Sequence, residues 1–499
     1  MVGGLWAIEM IRVPDIPERP DFDAIHQEHY DVAIIGGGIN GAGVARECAL
    51  RGLKTLLVDQ SDFAAGTTTA SSKLVHGGLR YLKSMRFGLV YEALRERAYL
   101  LQNASHLVKP VEFLLPMYEG DIYPPWMLRL GVWLYDRFSL HRMIKPHRSL
   151  DKQAMLEIEP GLTDSGLVGG MAYSDAMMDD SRLCLENVLQ AKQFGADVFN
   201  YVKCVGEELE GNTVTAIQLE DQITGVKQTV PVQAVVQTAG PWTDFLNKTL
   251  GRQAADKLCV TKGVHLVVDR LVVAQPIVIT VPEDGRIFFV IPWYGLTIVG
   301  TTDTAFLAEP EALDIQTEDV TYLLDHVNRY FKDLNLRVED VSMGFVGARP
   351  LVKGFLSRDK DPSRRHKIWK VRKNVMAVAG GKYTTYRQVA EEVAKKVVNT
   401  VSSSLFFRSL TRKLPLYGGE IPDLMRYAAK KFPVEQNIYP VDKVLYTHIV
   451  MFYGSVYADV LSVICEDTSY QDTLTGSHHY KGEVIYAIRS ELARRIDDF

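Results

Sequence analysis

The chain has 499 residues, long enough for two or three domains, and its 47% hydrophobic and 23% charged content is that of an ordinary globular protein. A net charge of −5 argues against a general nucleic-acid binder. Cys48, Cys184, Cys204, Cys259 and Cys465 are odd in number, scattered and in no CxxC pair, which suits a reducing compartment and supplies no metal site.

Residues 1–29 read as a polar, loosely ordered leader. Pro14, Glu18, Asp21 and Asp23 interrupt any apolar run, so no secretory signal is expected there. An apolar strand over 31–35 then meets a glycine turn, with Gly36, Gly38 and Gly41 at the GxGxxG positions. A helix and a second strand over 55–58 follow, and Asp59 stands 21 residues after Gly38. This is the spacing of a dinucleotide-binding βαβ unit. The glycines let backbone N–H groups approach a pyrophosphate at the helix N-terminus, and Asp59 is placed to accept hydrogen bonds from a ribose.

Residues 63–81 are rich in hydroxyls, glycine and small side chains, and bring Lys73, His76, Arg80 and Tyr81 together. A long loop of this kind inside a compact domain usually carries function. Residues 87–104 have helical periodicity. In 126–138 large apolar residues crowd a helix. Arg137, Arg142, Lys145, Arg148, His141 and His147 follow, with Asp136 the single acid among them. That composition suits equally an interfacial helix beside anionic lipid and a core helix with basic flanks.

Residues 151–160 are polar, and 173–195 read as a renewed helix with an acidic capping start at Asp179 and Asp180. Strands over 198–205, 214–219 and 228–237 lead into a small-residue turn at 238–243. Residues 259–305 are strand-rich and resemble an antiparallel insertion. A helix covers 319–331, a basic loop covers 358–373, and a buried strand over 375–379 meets Gly380-Gly381-Lys382 before another helix. This second strand–glycine–helix junction favours FAD over a nicotinamide cofactor, because a large cofactor across the sheet is touched from both chain ends. After residue 401 the patterns over 424–431, 446–453, 456–464 and 480–495 suit the helices of a small separate domain. The best membrane-span candidate, 448–465, contains Gly454 and Asp459, so a transmembrane anchor is not expected and surface association stays open.

Together, the Gly36–Gly41 fingerprint, residues 71–81 with His76-Gly77-Gly78-Leu79-Arg80-Tyr81, and residues 238–242, 262–265, 300–304, 348–351 and 380–387 resemble the FAD-dependent glycerol-3-phosphate dehydrogenases. These belong to the D-amino-acid-oxidase-like flavoprotein superfamily. The likeness runs from about Tyr30 to near the last residue. It implies an α/β (α+β) fold: a leader over 1–29, an FAD-dependent oxidoreductase region over 30–400, and a C-terminal α-helical domain over 401–499. Within the central region, Rossmann-like FAD-binding segments cover about 30–110, 165–258 and 340–400, and antiparallel-sheet substrate segments cover about 111–164 and 259–339.

The resemblance also implies the reaction: hydride transfer from C2 of sn-glycerol 3-phosphate to the flavin N5, then reoxidation by a membrane quinone. Arg80, Tyr81, His265, Arg349, Arg358 and Lys382 match substrate-binding positions, and His265, Arg349 and Lys382 are the catalytic set. Arginines suit a phosphate dianion. His265 is the natural base of near-neutral pKa. Alternatively, Arg349 and Lys382 stabilise the developing alkoxide while the proton leaves through water. Cofactor contacts carried over are Gly36, Gly38, Gly41, Asp59, Ser71, Ser72, Lys73, Gly77, Gly78, Val202, Gly240 and Gly381. The 126–148 segment is similar to the family's membrane-docking region, which implies peripheral association with the cytoplasmic side of the inner membrane. Homodimerisation is compatible with the pattern. Ala348 and Lys83 depart from the family pattern, and the resemblance implies relatives that continue about one or two helical turns past the position of Phe499. The alternatives are an oxygen-dependent glycerol-3-phosphate oxidase, an FAD amine or amino-acid oxidoreductase, and a flavin-binding protein without turnover.

Overall fold

The strand Tyr30–Ile35 is apolar except for Asp31, and the computed structural model sets it near the middle of an eight-stranded sheet. The structure describes residues 21–78, 86–139, 142–252, 256–270, 272–353, 365–401 and 408–499. Tyr30–Ile35 pairs in parallel with Lys227–Gln237 on one side and Thr55–Val58 on the other. Val375–Ala379 and Asp197–Phe199 extend the parallel order outward. Val32 and Ile34 face the helices Ile39–Ala49, Asp180–Gln193 and Tyr386–Val401. Ala33 and Ile35 face Val202, Val214, Ile217 and Val230 of an antiparallel meander. Burial on both faces removes the need for polar alternation, which is why the strand reads as a continuous apolar run.

The second sheet has ten strands and is predominantly antiparallel. Its long pairs are Val108–Tyr118 with Leu167–Met178, and Leu258–Val268 with Val341–Val352. Val264, Leu266 and Val299 pack on the helix Thr317–Tyr330. Val267, Ile291 and Ile298 face the opposite way, in one cluster with Val90 and Leu94 of Phe87–Asn103 and Val132 and Tyr135 of Pro125–Ser139. This sheet also takes in Leu74–Val75, Leu167–Met178 and Val341–Val352, so it is wider than segments 111–164 and 259–339.

Four helices, Leu424–Glu435, Lys443–Tyr453, Tyr457–Ile464 and Lys481–Ser490, enclose a C-terminal core of Tyr446, Ile449, Leu461 and Tyr486. Arg182 donates to both carboxylate oxygens of Glu491 at 2.8 Å, tying this bundle to the nucleotide half. The stretch Lys443–Ile464 is long and apolar enough by composition to cross a bilayer, but Gly454 breaks it and half of it is buried in the bundle.

Four sequence expectations differ from the structure. Residues 173–178 belong to a strand whose two faces are both buried, so no alternation marks it; the helix begins at Asp180, with Asp179 as its cap. The polar stretch 151–160 holds a helix, Lys152–Ile158, capped by the Asp151 carboxylate accepting the Ala154 N–H at 2.8 Å. Part of the leader is ordered: Phe22–Gln27 is a short helix that buries Phe22 and Ile25 beside Phe199. The last long helix ends at Ser490 rather than 495, because the chain turns to bring Glu491 onto Arg182.

Candidate functional site

Gly36 ends the first strand with φ +110°, where a side chain would be strained and its Cβ would meet the Thr238 backbone. A Cβ at Gly41 would overlap the Gly36 carbonyl oxygen. The turn is therefore closed by backbone against backbone. Gly38 caps the helix Ile39–Ala49 without a side-chain bond of its own; Thr68 Oγ1 accepts the Ile39 N–H at 3.0 Å, and the N–H groups after it in the first turn are left for an anion. Asp59 accepts the Gly37 N–H at 2.6 Å and the Ser61 N–H at 2.8 Å, and burial pushes its carboxyl up to about 6.

These groups open on a cavity of about 1470 Å³. Gly36, Gly38, Asp59, Ser71, Ser72, Gly78, Val202, Gly240 and Gly381 line it together with His265, Arg349 and Lys382. Its volume exceeds what one small ligand needs and accommodates a dinucleotide cofactor with a substrate beside it. The glycine cradle and the open helix N-terminus at its edge fit FAD.

Three of the residues matched to the cofactor lie elsewhere. Gly41 packs against the Gly36 carbonyl behind the turn. Lys73 Nζ donates to Asp180 Oδ1 at 2.5 Å and to the Thr69 carbonyl at 2.7 Å, and Ser71 Oγ donates to Asp180 Oδ2 at 2.6 Å. Lys73 thus holds the loop to the start of the helix Asp180–Gln193. Gly77 donates its N–H to the Tyr135 hydroxyl at 2.7 Å, which donates to Asp175 Oδ2 at 2.6 Å. Arg97 completes this buried chain on Asp175 Oδ1 at 2.6 Å. Arg80, Tyr81, Lys83, His141 and Arg358 lie outside the described residues.

The long strand Leu258–Val268 delivers His265 to the cavity, and its neighbour Val341–Val352 delivers Arg349. Two glycines make room: a Cβ at Gly300 would overlap the His265 ring, and one at Gly263 would overlap the Arg349 guanidinium. Arg349 Nη2 donates to Thr301 Oγ1 at 2.6 Å, and Nη1 lies 3.3 Å from Asp303 Oδ1. Lys382 follows the second glycine pair and reaches the Gly77 carbonyl at 3.4 Å. Thr384 Oγ1 accepts the His76 N–H at 3.3 Å, tying the loop that carries Gly77 and Gly78 to the Gly380-Gly381 junction.

His265 is buried and shares a 2.8 Å hydrogen bond between Nε2 and Ser72 Oγ. Its ring stacks on Phe345, with centroids 4.8 Å apart and planes 14° from parallel. Nδ1 is buried and has no hydrogen-bond partner among the described residues. Burial, then the cations of Arg349 and Lys73, push its pKa down to about 3. The near-neutral base expected at this position is therefore not what the resting site holds: the imidazole is neutral throughout the physiological range. Ser72, which the resemblance matches to a cofactor contact, is the hydrogen-bond partner of this ring.

Sequence reading assigned no role to Phe345, Thr301 or Asp303. The signal for Thr301 and Asp303 lay in the string 300–304, and that for the two clearances in Gly263 and Gly300, glycines inside strands that mark a close approach. An apolar part of the cavity lining comes from Met127, Leu128 and Leu134 of the helix Pro125–Ser139, with Phe113, Val278 and Phe289 of the second sheet. Trp126, Leu130 and Trp133 on that helix are exposed. Of the cations after it, His147 pairs with Asp136 at 2.7 Å and Arg148 with Glu112 at 2.6 Å.

Residues 31–393 match the family model for FAD dependent oxidoreductase, and residues 409–499 match that for the C-terminal domain of alpha-glycerophosphate oxidase. The aerobic glycerol-3-phosphate dehydrogenase of Staphylococcus saprophyticus is 35% identical, across 95% of this chain and 86% of that protein. The enzyme of the same name in Staphylococcus aureus is 33% identical with the same coverage. The glycerol-3-phosphate dehydrogenase from Bacillus halodurans, solved with FAD, superposes with a TM-score of 0.78 at 28% identity, covering 95% of this chain and 86% of that one. L-alpha-glycerophosphate oxidase from Mycoplasma pneumoniae shares the fold, with a TM-score of 0.58 at 18% identity over 74% of this chain and 95% of that one. A matching βαβ cradle, a two-sheet architecture and likeness along nearly the whole length converge: the chain belongs to the aerobic glycerol-3-phosphate dehydrogenase family of FAD-dependent oxidoreductases.

Proposed function

We propose that this chain oxidises sn-glycerol 3-phosphate at C2 to dihydroxyacetone phosphate and passes the electrons to a membrane quinone. The observation that carries the reading is the convergence of Arg349, Lys382 and His265 on the cavity that also holds the glycine cradle. Bound FAD supplies the two-electron acceptor for the C2 hydrogen. Arg349 offers a planar pair of donors to the substrate's oxygens, and Lys382 a second cation. Arg80, Tyr81 and Arg358 belong to the same proposed substrate set on the strength of the resemblance. His265 is desolvated and neutral, and its Nε2 is the proposed acceptor of the C2 hydroxyl proton. A phosphate dianion against Arg349 offsets one of the cations that depress the imidazole, so substrate binding raises its basicity.

The low resting pKa of His265 favours a second reading of the same step: Arg349 and Lys382 stabilise the alkoxide, and the proton leaves through water. Replacing His265 by Gln separates the two. Loss of the flavin-reduction step at all pH values supports His265 as acceptor. A flavin-reduction rate within about threefold of the parent supports water.

We place the exposed Trp126, Leu130 and Trp133, with Arg129, Arg137 and Lys145, on an anionic lipid surface at the cytoplasmic side of the inner membrane. The apolar cavity lining from the same helix suits a quinone ring. Anaerobic addition of glycerol 3-phosphate, on the order of millimolar, to the FAD-loaded protein bleaches the oxidised flavin band. Absence of bleaching would sink the substrate assignment, and reoxidation faster by air than by a soluble quinone would sink the acceptor. Liposome binding that survives replacement of Trp126 and Trp133 by Ser would return the helix to an ordinary surface role.

A further inference from the structure

Far along the chain from the residues that build the flavin site, the C-terminal bundle brings together two histidines and a glutamate. His448 lies on the helix Lys443–Tyr453, and Glu483 in the first turn of Lys481–Ser490, with His479 just before that helix. His448 Nε2 is 3.2 Å from both Glu483 carboxylate oxygens, and His479 Nδ1 is 3.1 Å from Glu483 Oε1. The three ligand atoms all lie within 4.8 Å of one another. None of the three residues lines the main cavity, and the proposed reaction uses none of them.

We propose that His448, His479 and Glu483 form a three-ligand site for a divalent transition-metal ion of the zinc type. The donor set is two imidazole nitrogens and one carboxylate, the combination that borderline ions take and that magnesium or calcium does not favour. Ligands about 2.0–2.1 Å from a tetrahedral ion lie about 3.3 Å apart along each edge. The imidazole–carboxylate separations of 3.1 and 3.2 Å are already close to that edge, so only the separation between the two histidines has to tighten.

The ligands are also held in place. The His448 ring stacks on Phe452 at 5.8 Å with planes 10° apart, and meets the Tyr480 edge at 5.4 Å. The His479 ring packs edge-on to Phe452 at 5.0 Å. Glu483 Oε2 accepts the Tyr480 N–H at 2.6 Å, fixing the carboxylate in the way an outer shell fixes a metal ligand. Glu483 is nearly buried at 5% side-chain exposure, and His479, at 42%, opens the site to solvent. An ion enters from the His479 side and leaves a fourth position to water. Bound there, it adds a link between Lys443–Tyr453 and Lys481–Ser490 to the side-chain packing, the histidine–glutamate bonds and the Tyr453–Glu483 hydrogen bond that already join them. The role assigned is structural.

The test uses untagged, FAD-loaded full-length protein freed of metal by a chelator and then desalted. Zinc is titrated by competition with a chromophoric chelator, and cobalt by its visible tetrahedral absorption. The expected result is one ion per chain and a raised Tm of the C-terminal unfolding step. His448→Gln and His479→Gln each weaken binding by about tenfold or more, while His478→Gln leaves it unchanged. The two ligand variants retain the glutamate that caps the helix, so they keep the fold, and the parent's flavin spectrum in each confirms it. Absence of zinc binding at about 100 μM, well above the apparent affinities of structural zinc sites, overturns the proposal. Stoichiometric binding that both ligand variants retain overturns it equally.

Discussion

Gly300 stands directly opposite His265 across an antiparallel strand pair, and the imidazole occupies the space that a side chain at Gly300 would need. The base candidate is thus positioned by the absence of an atom on the neighbouring strand. Replacing Gly300 by Ala forces the ring off its Ser72 hydrogen bond and its Phe345 stack. Overpacking of this kind costs about 1–3 kcal/mol. With the reacting group displaced by a fraction of an ångström to an ångström, kcat falls by about 100-fold while FAD stays bound. Stopped-flow flavin reduction and the visible spectrum measure the two quantities separately.

Arg349→Lys keeps the charge and loses the fork that reaches Thr301 and Asp303. One charge-assisted hydrogen bond is worth about 1.5–3 kcal/mol, so KM for glycerol 3-phosphate rises by about 10- to 100-fold. Unbound FAD after gel filtration stays at the parent level. A KM within about twofold of the parent removes Arg349 from the substrate set.

His265 and Asp59 give the stability two opposed pH dependences. The native His265 pKa of about 3 lies below its ordinary 6.5. Between those values the unfolded chain takes up a proton that the native ring refuses, so stability falls as pH is lowered through that window, by up to about 1.4 kcal/mol per unit. Asp59, raised to about 6 from 3.8, keeps its proton better in the native state, so its contribution falls as pH rises through that range. Urea unfolding at pH 7 and pH 5 isolates the first effect: His265→Gln loses less stability on acidification than the parent.

Arg182 sits 8% exposed between Glu491, Glu186 and the aromatic faces of Tyr453 and Phe452. Arg182→Met strands the buried Glu491 carboxylate, while Glu186 keeps its 2.8 Å bond to His106, and destabilises the junction between the halves by about 3–5 kcal/mol. Adding Glu491→Leu recovers part of that loss. Thermal unfolding followed by flavin fluorescence and by far-UV circular dichroism reads both, and equal Tm values for Arg182→Met and the parent would show the pair to be dispensable.

The nucleotide half was legible because its signals are contiguous: strand, Gly36, Gly38, helix and Asp59 fall within one short stretch, and local backbone geometry decides them. The surroundings of His265 were not. Ser72 is 193 residues from it in sequence, and Phe345 and Gly300 reach it through the register of long strands, which periodicity does not encode. Lys73 stood among the cofactor contacts only through the family resemblance. Its ammonium instead pairs with Asp180, 107 residues on, and the loop it anchors is what the cavity uses. The helix over 173–195 was half right: Asp179 and Asp180 marked its start, and nothing local marked the doubly buried strand ahead of it.

The Tyr135 hydroxyl belongs at once to a surface helix and to the loop of the site. Outward, its helix carries Trp126 and Trp133; inward, that single oxygen accepts from Gly77, whose own carbonyl receives Lys382. With Asp175 and Arg97 holding the other end, the hydroxyl has no slack to absorb a tilt of the helix. The route from the exposed tryptophan face to the His76–Gly77 backbone therefore runs through one oxygen, and its inner end lies beside Lys382.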